Sequence, residues 1–465
     1  IGGSGSDIFN IATGGSITGS INGGAGADTL MISDISATNN WQLGESNVVG
    51  SVAFFTEIET LIGNANNDIF NFTGATDVIA IQGGDGNNSV TWQAGDLVVD
   101  LGSNQLNAIN FTDINSVTAD AANNATLIGA DTENLWTLTG IDSGSVNDFT
   151  FSGFNKLQGG SDNDVLQATD GDNRWTNIDA TTNALNDALL FNGMEQLIGG
   201  ADADEFAAEL VGVTAIDGGL GTNQLAASDS ANNEWSIDGD NSGSFNTTLV
   251  FERIQNLVGG AGNDTFTFSA NSSIGDINAG AGDDTFVLAN NITAGSLDGG
   301  VGFDTLDRGS LNFIVTYLNE ILEGDAVYTA ANIENPTSTG GSTTLVGVDG
   351  YNAQWTITGD GSLSVTATGS DGVAVTNQFN NVTRVEGGSG ADEFILSEGG
   401  ALAEGIFGNG DDSLQASNTS NNWRIDSENG GVLTVDDGTT LLFQGIANLI
   451  GGSGSDIFNI ATGGS

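Results

Sequence analysis

Residues 259–306 read GGAGNDTFTFSANSSIGDINAGAGDDTFVLANNITAGSLDGGVGFDTL and contain one pattern three times. Each time, a glycine-rich hexapeptide ends in an aspartate, and Asp264, Asp284 and Asp304 follow one another at intervals of 20 residues. The second residue after each of these aspartates is Phe or Leu. A constant apolar position beside a constant turn predicts that the chain returns to one wall of a core about every 20 residues.

The same pattern runs through the rest of the chain. Intact G-G-x-G-x-D copies start at Gly2, Gly23, Gly259, Gly299, Gly387 and Gly451, and degenerate copies start at Gly63, Gly83, Gly159, Gly199, Gly218, Ala279 and Phe407. In every copy the second residue after the hexapeptide is large and apolar. Some copies are separated by about 40 residues, which we interpret as two circuits of the chain, one of which lacks its glycine turn.

Short runs of Val, Ile, Phe and Thr between the turns are typical of strands. The sequence therefore predicts an all-β protein: a right-handed parallel β-solenoid with about 20 residues per coil, and with its Gly/Asp turns stacked on one edge. Helical periodicity is nearly absent, and the stretch from Leu311 to Leu322 is the only helix candidate.

Four segments are expected. Residues 1–306 and 387–449 carry the turn motif, whereas residues 307–386 have no glycine hexapeptide and contain the single proline, Pro336. We expect irregular coils or an insertion without a metal motif in 307–386. Residues 450–465 are expected to begin another copy of a long repeat.

That long repeat is visible in the sequence itself. Residues 1–16 read IGGSGSDIFNIATGGS, and residues 450–465 repeat them without a mismatch. The offset predicts a tandem array of 449-residue copies that are joined covalently; a duplication introduced by engineering is the alternative. Because the sequence opens inside a motif, we expect it to be a fragment of a longer protein.

The composition excludes several classes of function. The chain has 60 acidic and 6 basic residues, no His and no Cys, and a formal net charge of -54. Without His or Cys it offers no Ser-His triad, cysteine nucleophile, imidazole base or usual zinc ligand set, so we predict no catalytic residues and no enzyme. So acidic a surface repels nucleic acid, and no apolar run is long enough to span a bilayer.

The hexapeptide and its following apolar residue resemble the calcium-binding nonapeptide of the RTX (repeats-in-toxin) family, G-G-x-G-x-D-x-U-x. The resemblance implies several Ca²⁺ ions, held between successive turns by glycine-segment carbonyls and turn carboxylates. The residues that match are Asp7, Asp28, Asp264, Asp284, Asp304, Asp392, Asp412, Asp456, Gly2, Gly23, Gly259, Gly299 and Gly387. Weaker metal candidates are Asp68, Asp164, Asp204, Asp283 and Asp411, and turns with Asn88 or Asn223 are expected to bind weakly or not at all.

The chemistry of the turn agrees with this resemblance. Glycine permits positive φ and leaves carbonyl oxygens accessible, and aspartate adds a hard anionic oxygen. Calcium takes six to eight oxygens, more than one turn offers, so stacked turns would have to share an ion. RTX repeats usually place two motifs in each coil, whereas this chain has one, which predicts a single metal edge. Plain Gly-Asp turns without metal are the alternative.

A second pattern consists of six tryptophans that follow polar stretches: Trp41, Trp136, Trp175, Trp235, Trp355 and Trp423. Each of the six has an Asn two to three residues earlier. Aromatic faces can stack on sugars, but we favour these residues as large wedges in the core because most buried aromatic side chains only pack.

These features predict an extracellular structural protein, a calcium-stabilised repeat segment of a giant bacterial stalk, fibre, surface layer or biofilm matrix. The resemblance implies export by type I secretion, unfolded at low calcium and folded outside. Expected partners are neighbouring copies of the chain, in tandem and laterally. One alternative is a calcium-dependent adhesin that binds glycans or a cell surface, and another is a non-catalytic companion region of a secreted enzyme or toxin.

Overall fold

The computed structural model describes residues 1–33, 38–50, 52–228, 230–307, 313–316, 327–333, 335–337, 343–347, 352–368 and 374–461. Throughout these ranges every regular element is a β-strand. None of the described residues forms a helix that is long and apolar enough to cross a membrane. The chain divides into two compact units, Ile1–Asn223 and Gln224–Ser465.

The strands of the first unit are short. They are β1 Ile8–Ile11, β2 Ile17–Asn22, β3 Thr29–Ile32, β4 Asn40–Leu43, β5 Asn47–Val49, β6 Val52–Thr56, β7 Thr60–Ile62, β8 Ile69–Phe72, β9 Ala80–Gln82, β10 Ser89–Trp92, β11 Leu97–Asp100, β12 Gln105–Leu106, β13 Ile109–Thr112, β14 Ser116–Ala119, β15 Ala125–Ile128, β16 Leu135–Gly140, β17 Ser143–Val146, β18 Phe149–Ser152, β19 Lys156–Gln158, β20 Val165–Gln167, β21 Arg174–Asp179, β22 Thr182–Leu185, β23 Leu189–Asn192, β24 Gln196–Ile198, β25 Glu205–Ala207 and β26 Ala215–Asp217.

These strands form two sheets that the chain visits alternately. The first sheet has the order β1-β3-β7-β9-β13-β12-β11-β15-β19-β23-β22-β21-β25. The second has the order β2-β6-β5-β4-β8-β10-β14-β18-β17-β16-β20-β24-β26. Each circuit pairs in parallel with the next, so the predicted all-β class with mostly parallel pairing is confirmed.

The second unit also consists of short strands. They are β27 Gln224–Ala226, β28 Glu234–Ile237, β29 Gly243–Phe245, β30 Leu249–Glu252, β31 Asn256–Gly260, β32 Thr265–Phe268, β33 Ile277–Gly280, β34 Thr285–Val287, β35 Thr293–Asp298, β36 Thr305–Asp307, β37 Phe313–Thr316, β38 Val327–Ala331, β39 Asn335–Thr337, β40 Thr343–Val346, β41 Ala353–Gly359, β42 Ser362–Thr368, β43 Ala374–Phe379, β44 Arg384–Glu386, β45 Glu393–Leu396, β46 Gly405–Phe407, β47 Ser413–Gln415, β48 Asn421–Ser427, β49 Gly430–Thr434, β50 Thr440–Gln444, β51 Asn448–Ile450 and β52 Asp456–Ile460.

Four runs of paired strands make up the second unit. Two of them are β27-β31-β33-β35-β38 and β30-β29-β28-β32-β34-β36-β39. The other two are β37-β40-β44-β46-β50-β49-β48-β52 and β43-β42-β41-β45-β47-β51.

Antiparallel meanders interrupt the parallel pairing at intervals. In a meander, three consecutive strands stay in one sheet before the chain crosses to the other; the described meanders are β4–β6, β11–β13, β16–β18, β21–β23, β28–β30, β41–β43 and β48–β50. Within the first unit they alternate between the two sheets. A circuit that contains a meander is longer by one hairpin and keeps its direction, because three strands reverse the chain twice.

The meanders correct our interpretation of the 40-residue gaps. Between Asp28 and Asp68 the chain does not make two plain circuits; it makes one circuit enlarged by β4–β6 and also changes sheet. The helix candidate is also wrong where it can be compared with the structure, since Phe313–Thr316 is a strand that pairs with Thr343–Val346. Residues 311–312 and 317–322 lie outside the described residues.

The core consists of apolar columns that run from circuit to circuit. Phe266 pairs in register with Phe286, and Phe286 with Leu306, and all three side chains are fully buried. The rings of Phe266 and Phe286 stack at 5.2 Å. The apolar residue after each hexapeptide is therefore an interior residue of the sheet, as predicted, except at Phe9 and Phe458 in the outer strands β1 and β52.

The six tryptophans of the second pattern belong to these columns. Each lies in the first strand of a meander, is at most 1% exposed, and pairs with the apolar residue of a following turn motif. Trp41 stacks on Phe70 at 5.6 Å and Trp235 on Phe266 at 5.7 Å. The interpretation of these residues as core wedges is confirmed.

Candidate metal sites in the aspartate turns

The aspartate of each turn lies immediately before a strand, or at its first residue, and faces inward. Most of these side chains are 0–2% exposed; the group consists of Asp28, Asp68, Asp164, Asp204, Asp264, Asp284, Asp304, Asp392 and Asp412. Asp7 and Asp456, in the outer circuits, are half-buried. Burial of a charged carboxylate is costly unless other groups compensate it, so the partners of each oxygen decide what the turn can do.

One oxygen of each carboxylate joins neighbouring circuits. The backbone N–H of Asp264 donates to Asp284 Oδ1 at 2.7 Å, and that of Asp284 donates to Asp304 Oδ1 at 2.8 Å. Asp7 donates in the same way to Asp28, and Asp392 to Asp412. The predicted stacking of the turns is therefore present, and backbone hydrogen bonds hold these Oδ1 atoms.

The second oxygen separates the turns into two classes. In the first class Oδ2 accepts a backbone N–H of its own turn, as in Asp7, Asp68, Asp164, Asp204 and Asp412. In the second class, Oδ2 of Asp28, Asp284 and Asp392 is buried and accepts no hydrogen bond. An unpaired buried anionic oxygen calls for a proton or a cation.

Burial also changes the acidity of the turns. Loss of contact with water is the largest cause that raises the pKa of Asp68, Asp164, Asp204, Asp284 and Asp392 above the ordinary 3.8. Turn hydrogen bonds act in the opposite direction, and the nearby charge of Asp283 raises the pKa of Asp284 further. The charged form of these groups is therefore disfavoured unless a positive charge lies close by.

The first glycine of the motif makes room for these oxygens. A methyl group on Gly2, Gly23, Gly259 or Gly299 would collide with Oδ2 of the turn aspartate and also with a carbonyl oxygen of the following circuit. On Gly387 it would collide with Asp392 Oδ2. Farther along the motif, Gly300 adopts a φ of 88°, and a methyl group there would meet the Gly280 carbonyl. These positions require glycine.

The turns do not lie on one edge, and this expectation is corrected. Asp7 and Asp28 lead into β1 and β3 of the first sheet, whereas Asp68 and Asp164 lead into β8 and β20 of the second. A meander adds three strands to one sheet before the chain crosses, whereas a plain circuit adds one. The turn motif therefore precedes strands of the first sheet in some circuits and strands of the second sheet in others.

Among the weaker candidates, Asp283 and Asp411 lie on the surface. Asp283 Oδ1 accepts the backbone N–H of Phe303 at 2.9 Å, and Asp411 Oδ1 accepts the Asn448 amide at 3.4 Å. They are neighbours of the buried aspartates but do not enter the turn interior.

Sequence reasoning missed a set of residues that occupy the aspartate position in other circuits. Glu59 and Glu195 each accept the backbone N–H of the preceding turn aspartate, at 2.7 and 2.8 Å. Asn39, Asn134, Asn173, Asn233 and Asn421 occupy the position before a meander and face inward. Their signal was an acidic or amide residue two positions before a large apolar one, without the glycines that drew attention to the other turns.

The geometry limits what a metal site could be. The described residues contain no group of three or more His, Cys, Asp or Glu side chains that could hold an ion together. An ion at Asp28 would meet one free carboxylate oxygen and the Glu57 carbonyl beside it, and an ion at Asp284 or Asp392 would meet one free carboxylate oxygen. Such a hard oxygen set is of the kind that calcium accepts. The described carboxylates therefore supply only part of the six to eight oxygens that calcium takes, and main-chain carbonyls or water would have to supply the rest.

No protein-family model matches this chain, and no curated protein matches it either.

Proposed function

We propose that the chain is a segment of an extracellular structural protein, a right-handed β-solenoid that is repeated in tandem and stabilised by calcium. It would serve as a stalk, fibre, surface layer or matrix polymer. Parallel pairing from circuit to circuit supports the solenoid, and the general preference of parallel crossovers supports its right hand.

The observation that carries this proposal is the pairing of the two identical segments. In residues 1–16, Phe9 of β1 pairs with Leu30, which follows it in the chain. In residues 450–465, Phe458 of β52 pairs with Trp423, which precedes it, and the rings stack at 5.4 Å. One sequence thus has a partner on its following side in one place and on its preceding side in the other.

In a tandem array, each such circuit would have both partners at once. Phe458 is 45% exposed and Ile457 59% exposed where only the preceding side is covered. A second copy that adds its own counterpart of β3 would cover the other side in the register of the β1–β3 pair. The junction would then be an ordinary circuit, and consecutive copies would form one continuous stack.

Calcium enters the proposal through the second class of turns. Asp28 would hold an ion with Oδ2 and the Glu57 carbonyl, and Asp284 and Asp392 would each contribute Oδ2. When bound, a divalent ion neutralises buried carboxylates and links adjacent circuits. Folding would then follow the calcium concentration, which suits a chain exported unfolded, as by type I secretion, and folded outside the cell. The net charge of -54 supports a soluble, mutually repelling surface.

The adhesin alternative gains no support from the tryptophans. A glycan platform needs accessible aromatic faces. All seven tryptophans, Trp92 included, are buried. We therefore retain the structural role as the proposal.

A protein with two consecutive copies tests the tandem stack. Hydrogen exchange at residues 456–460 should be slower in two copies than in one, because the counterpart of β3 then covers the second side of β52. Phe458→Asp should restore fast exchange there, while Asn459→Gln, which keeps an amide beside Asn422, should not. Exchange at residues 456–460 that is as fast in two copies as in one would contradict the proposal.

A further inference from the structure

The turns with asparagine place a side-chain nitrogen where the turns with aspartate place an oxygen. A methyl group on Gly83 would collide with Asn88 Nδ2 and with the Asp113 carbonyl. At the corresponding position, a methyl group on Gly23 would collide with Asp28 Oδ2 and with the Glu57 carbonyl. The two turns therefore build the same small space and fill it with opposite hydrogen-bonding groups.

The space around Asn88 Nδ2 is lined by acceptors. The amide donates to the carbonyl oxygens of Gly84, Asp85 and Asp113, at 3.2, 3.3 and 2.8 Å. A carboxylate oxygen among such inward-pointing carbonyls has no donor to meet, unlike Oδ2 of Asp68 and Asp164, which accept N–H groups of their own turns. Asp28 Oδ2 lies in this situation beside the Glu57 carbonyl and accepts no hydrogen bond.

The turns before the meanders follow the same rule. Asn134 Nδ2 donates to the carbonyls of Ala130 and Thr132 and to Asp164 Oδ1, at 2.8, 2.6 and 2.7 Å. Asn173 and Asn421 each make the equivalent three contacts, at 2.6–2.9 Å, and the third is again the carboxylate of the next circuit, Asp204 or Asp456. In each case the side-chain NH₂ group of the asparagine, which carries a partial positive charge, lies among three oxygens.

We propose that the amide groups of Asn88, Asn134, Asn173 and Asn421 do in their turns what a divalent cation does in the turns of Asp28, Asp284 and Asp392. The asparagine turns are closed without metal, and the requirement for calcium is confined to the aspartate turns whose Oδ2 has no donor. This inference rests on the calcium part of the proposed function and assigns which circuits depend on the ion.

The inference divides the chain into circuits of two kinds. An amide donates two hydrogens and carries no net charge, so it satisfies the carbonyls without adding an anion to a buried site. Where no turn N–H points at its Oδ2, a carboxylate leaves the same carbonyls without a donor and brings a charge that a proton or a cation must offset. Circuits with asparagine would therefore form early, before the chain meets calcium, and provide pairing surfaces for the others.

Hydrogen exchange of the complete chain tests this directly, with calcium chloride or EDTA as the only variable. The amides to follow are those of residues 23–28 and 83–88, because both turns hold their backbone by comparable bonds to the next circuit: Gly23 and Gly83 donate to Thr56 and Thr112 at 3.0 and 2.9 Å. In the unmodified chain, EDTA should speed exchange at 23–28 by at least about tenfold and leave 83–88 unchanged.

Two substitutions, each of which replaces one side-chain nitrogen with oxygen or the reverse, complete the test. Asn88→Asp should make residues 83–88 sensitive to EDTA, and Asp28→Asn should make residues 23–28 insensitive to it. Asn87→Asp is the matched control, because it adds the same charge on the exposed side of the turn and should leave residues 83–88 insensitive. Calcium is present during purification, so Asn88→Asp can fold before the chelator is added.

The outcomes separate the two proposals. Sensitivity of residues 83–88 in the unmodified chain, or insensitivity of Asn88→Asp, would overturn the role of the amides while the calcium proposal stands. Insensitivity of residues 23–28 in the unmodified chain would overturn the calcium proposal itself, and this inference with it.

Discussion

Two regions of the molecule solve the same stacking problem with different groups. In the aspartate region, residues 259–306, three carboxylates follow one another in plain circuits of 20 residues. In the asparagine region, residues 130–207, Asn134 and Asn173 alternate with Asp164 and Asp204, and the circuits contain meanders. The backbone bond from one turn to the next side chain is the same in both, at 2.7–2.9 Å.

The difference lies in how each region compensates its buried charge. In the asparagine region, Asp164 and Asp204 each have an amide donor on Oδ1 and a glycine N–H on Oδ2. In the aspartate region, Asp284 lies between two other carboxylates and its Oδ2 has no donor. Under the proposed function, calcium would therefore be required in the aspartate region and not in the asparagine region.

The largest expected effect concerns what the two regions share. Phe286→Ala in the aspartate region and Phe206→Ala in the asparagine region each remove a buried ring that stacks on a neighbour, at 5.2 and 5.6 Å. Each should lower the free energy of unfolding of its own unit by about 3–5 kcal/mol in the presence of calcium. Denaturant unfolding checks this, with Thr267→Ala, on an exposed side chain, as a control that changes it by less than about 0.5 kcal/mol.

If Phe286→Ala lowers the free energy of unfolding far less than Phe206→Ala does, apolar columns would not be the common basis of stability in the two regions. It would mean that ions rather than apolar columns hold the aspartate region together.

A glycine substitution should separate the regions more finely. Gly300→Ala places a methyl group against the Gly280 carbonyl at a φ of 88°. The substitution should therefore lower the free energy of unfolding by roughly 1–3 kcal/mol. Gly171 belongs to an asparagine turn, and a methyl group there meets nothing within 4 Å. Gly171→Ala should be neutral or slightly stabilising. Thermal unfolding of both variants is the measurement, and equal destabilisation would contradict the collision.

The smallest expected effect is a dependence on pH. Because burial raises the folded-state pKa of Asp284 above 3.8, its protonated form favours the folded state. The contribution to stability is fully present below 3.8 and is lost as the pH rises through the raised pKa. In EDTA, acidification from neutral pH should therefore stabilise the aspartate region locally, and calcium should remove this gain by binding the charged form.

Hydrogen exchange at residues 280–284 as a function of pH checks this prediction. Asp284→Asn should abolish the dependence, whereas Asp283→Asn should only weaken it, because Asp283 acts through its charge alone. Protection that rises with pH in EDTA would contradict the expected direction.

Much of the fold could be predicted because it repeats. The apolar positions of Phe266 and Leu306, the burial of Trp235 and the stacking of Asp264 on Asp284 all follow from a period near 20 and a constant turn. The meanders could not be recognised, because antiparallel and parallel strands share the same two-residue alternation. Their tight turns at Asn186 and similar positive-φ asparagines resemble any other polar loop in the sequence.

The positions of the candidate sites could be predicted from the sequence, but whether Oδ2 of each aspartate has a hydrogen-bond donor could not. The turn motif pointed to Asp28 and Asp412 alike, yet Asp412 Oδ2 receives the N–H groups of Asn409 and Gly410 at 2.8 and 3.0 Å and Asp28 Oδ2 receives none. That distinction depends on which way a single peptide group of the turn points. The turns precede strands of two sheets and do not share one edge. This arrangement likewise follows from the meanders, which the turn motif does not encode.

A crystal of the complete chain, grown with calcium and measured for anomalous scattering, distinguishes the two classes of buried turn at the atoms themselves. Calcium binding by unpaired carboxylate oxygens predicts anomalous peaks beside Oδ2 of Asp28, Asp284 and Asp392. It predicts none beside Nδ2 of Asn88, Asn134 or Asn173, where carbonyls and carboxylates already accept the amide hydrogens. Ordered circuits with no peak beside any of the three aspartates would contradict it.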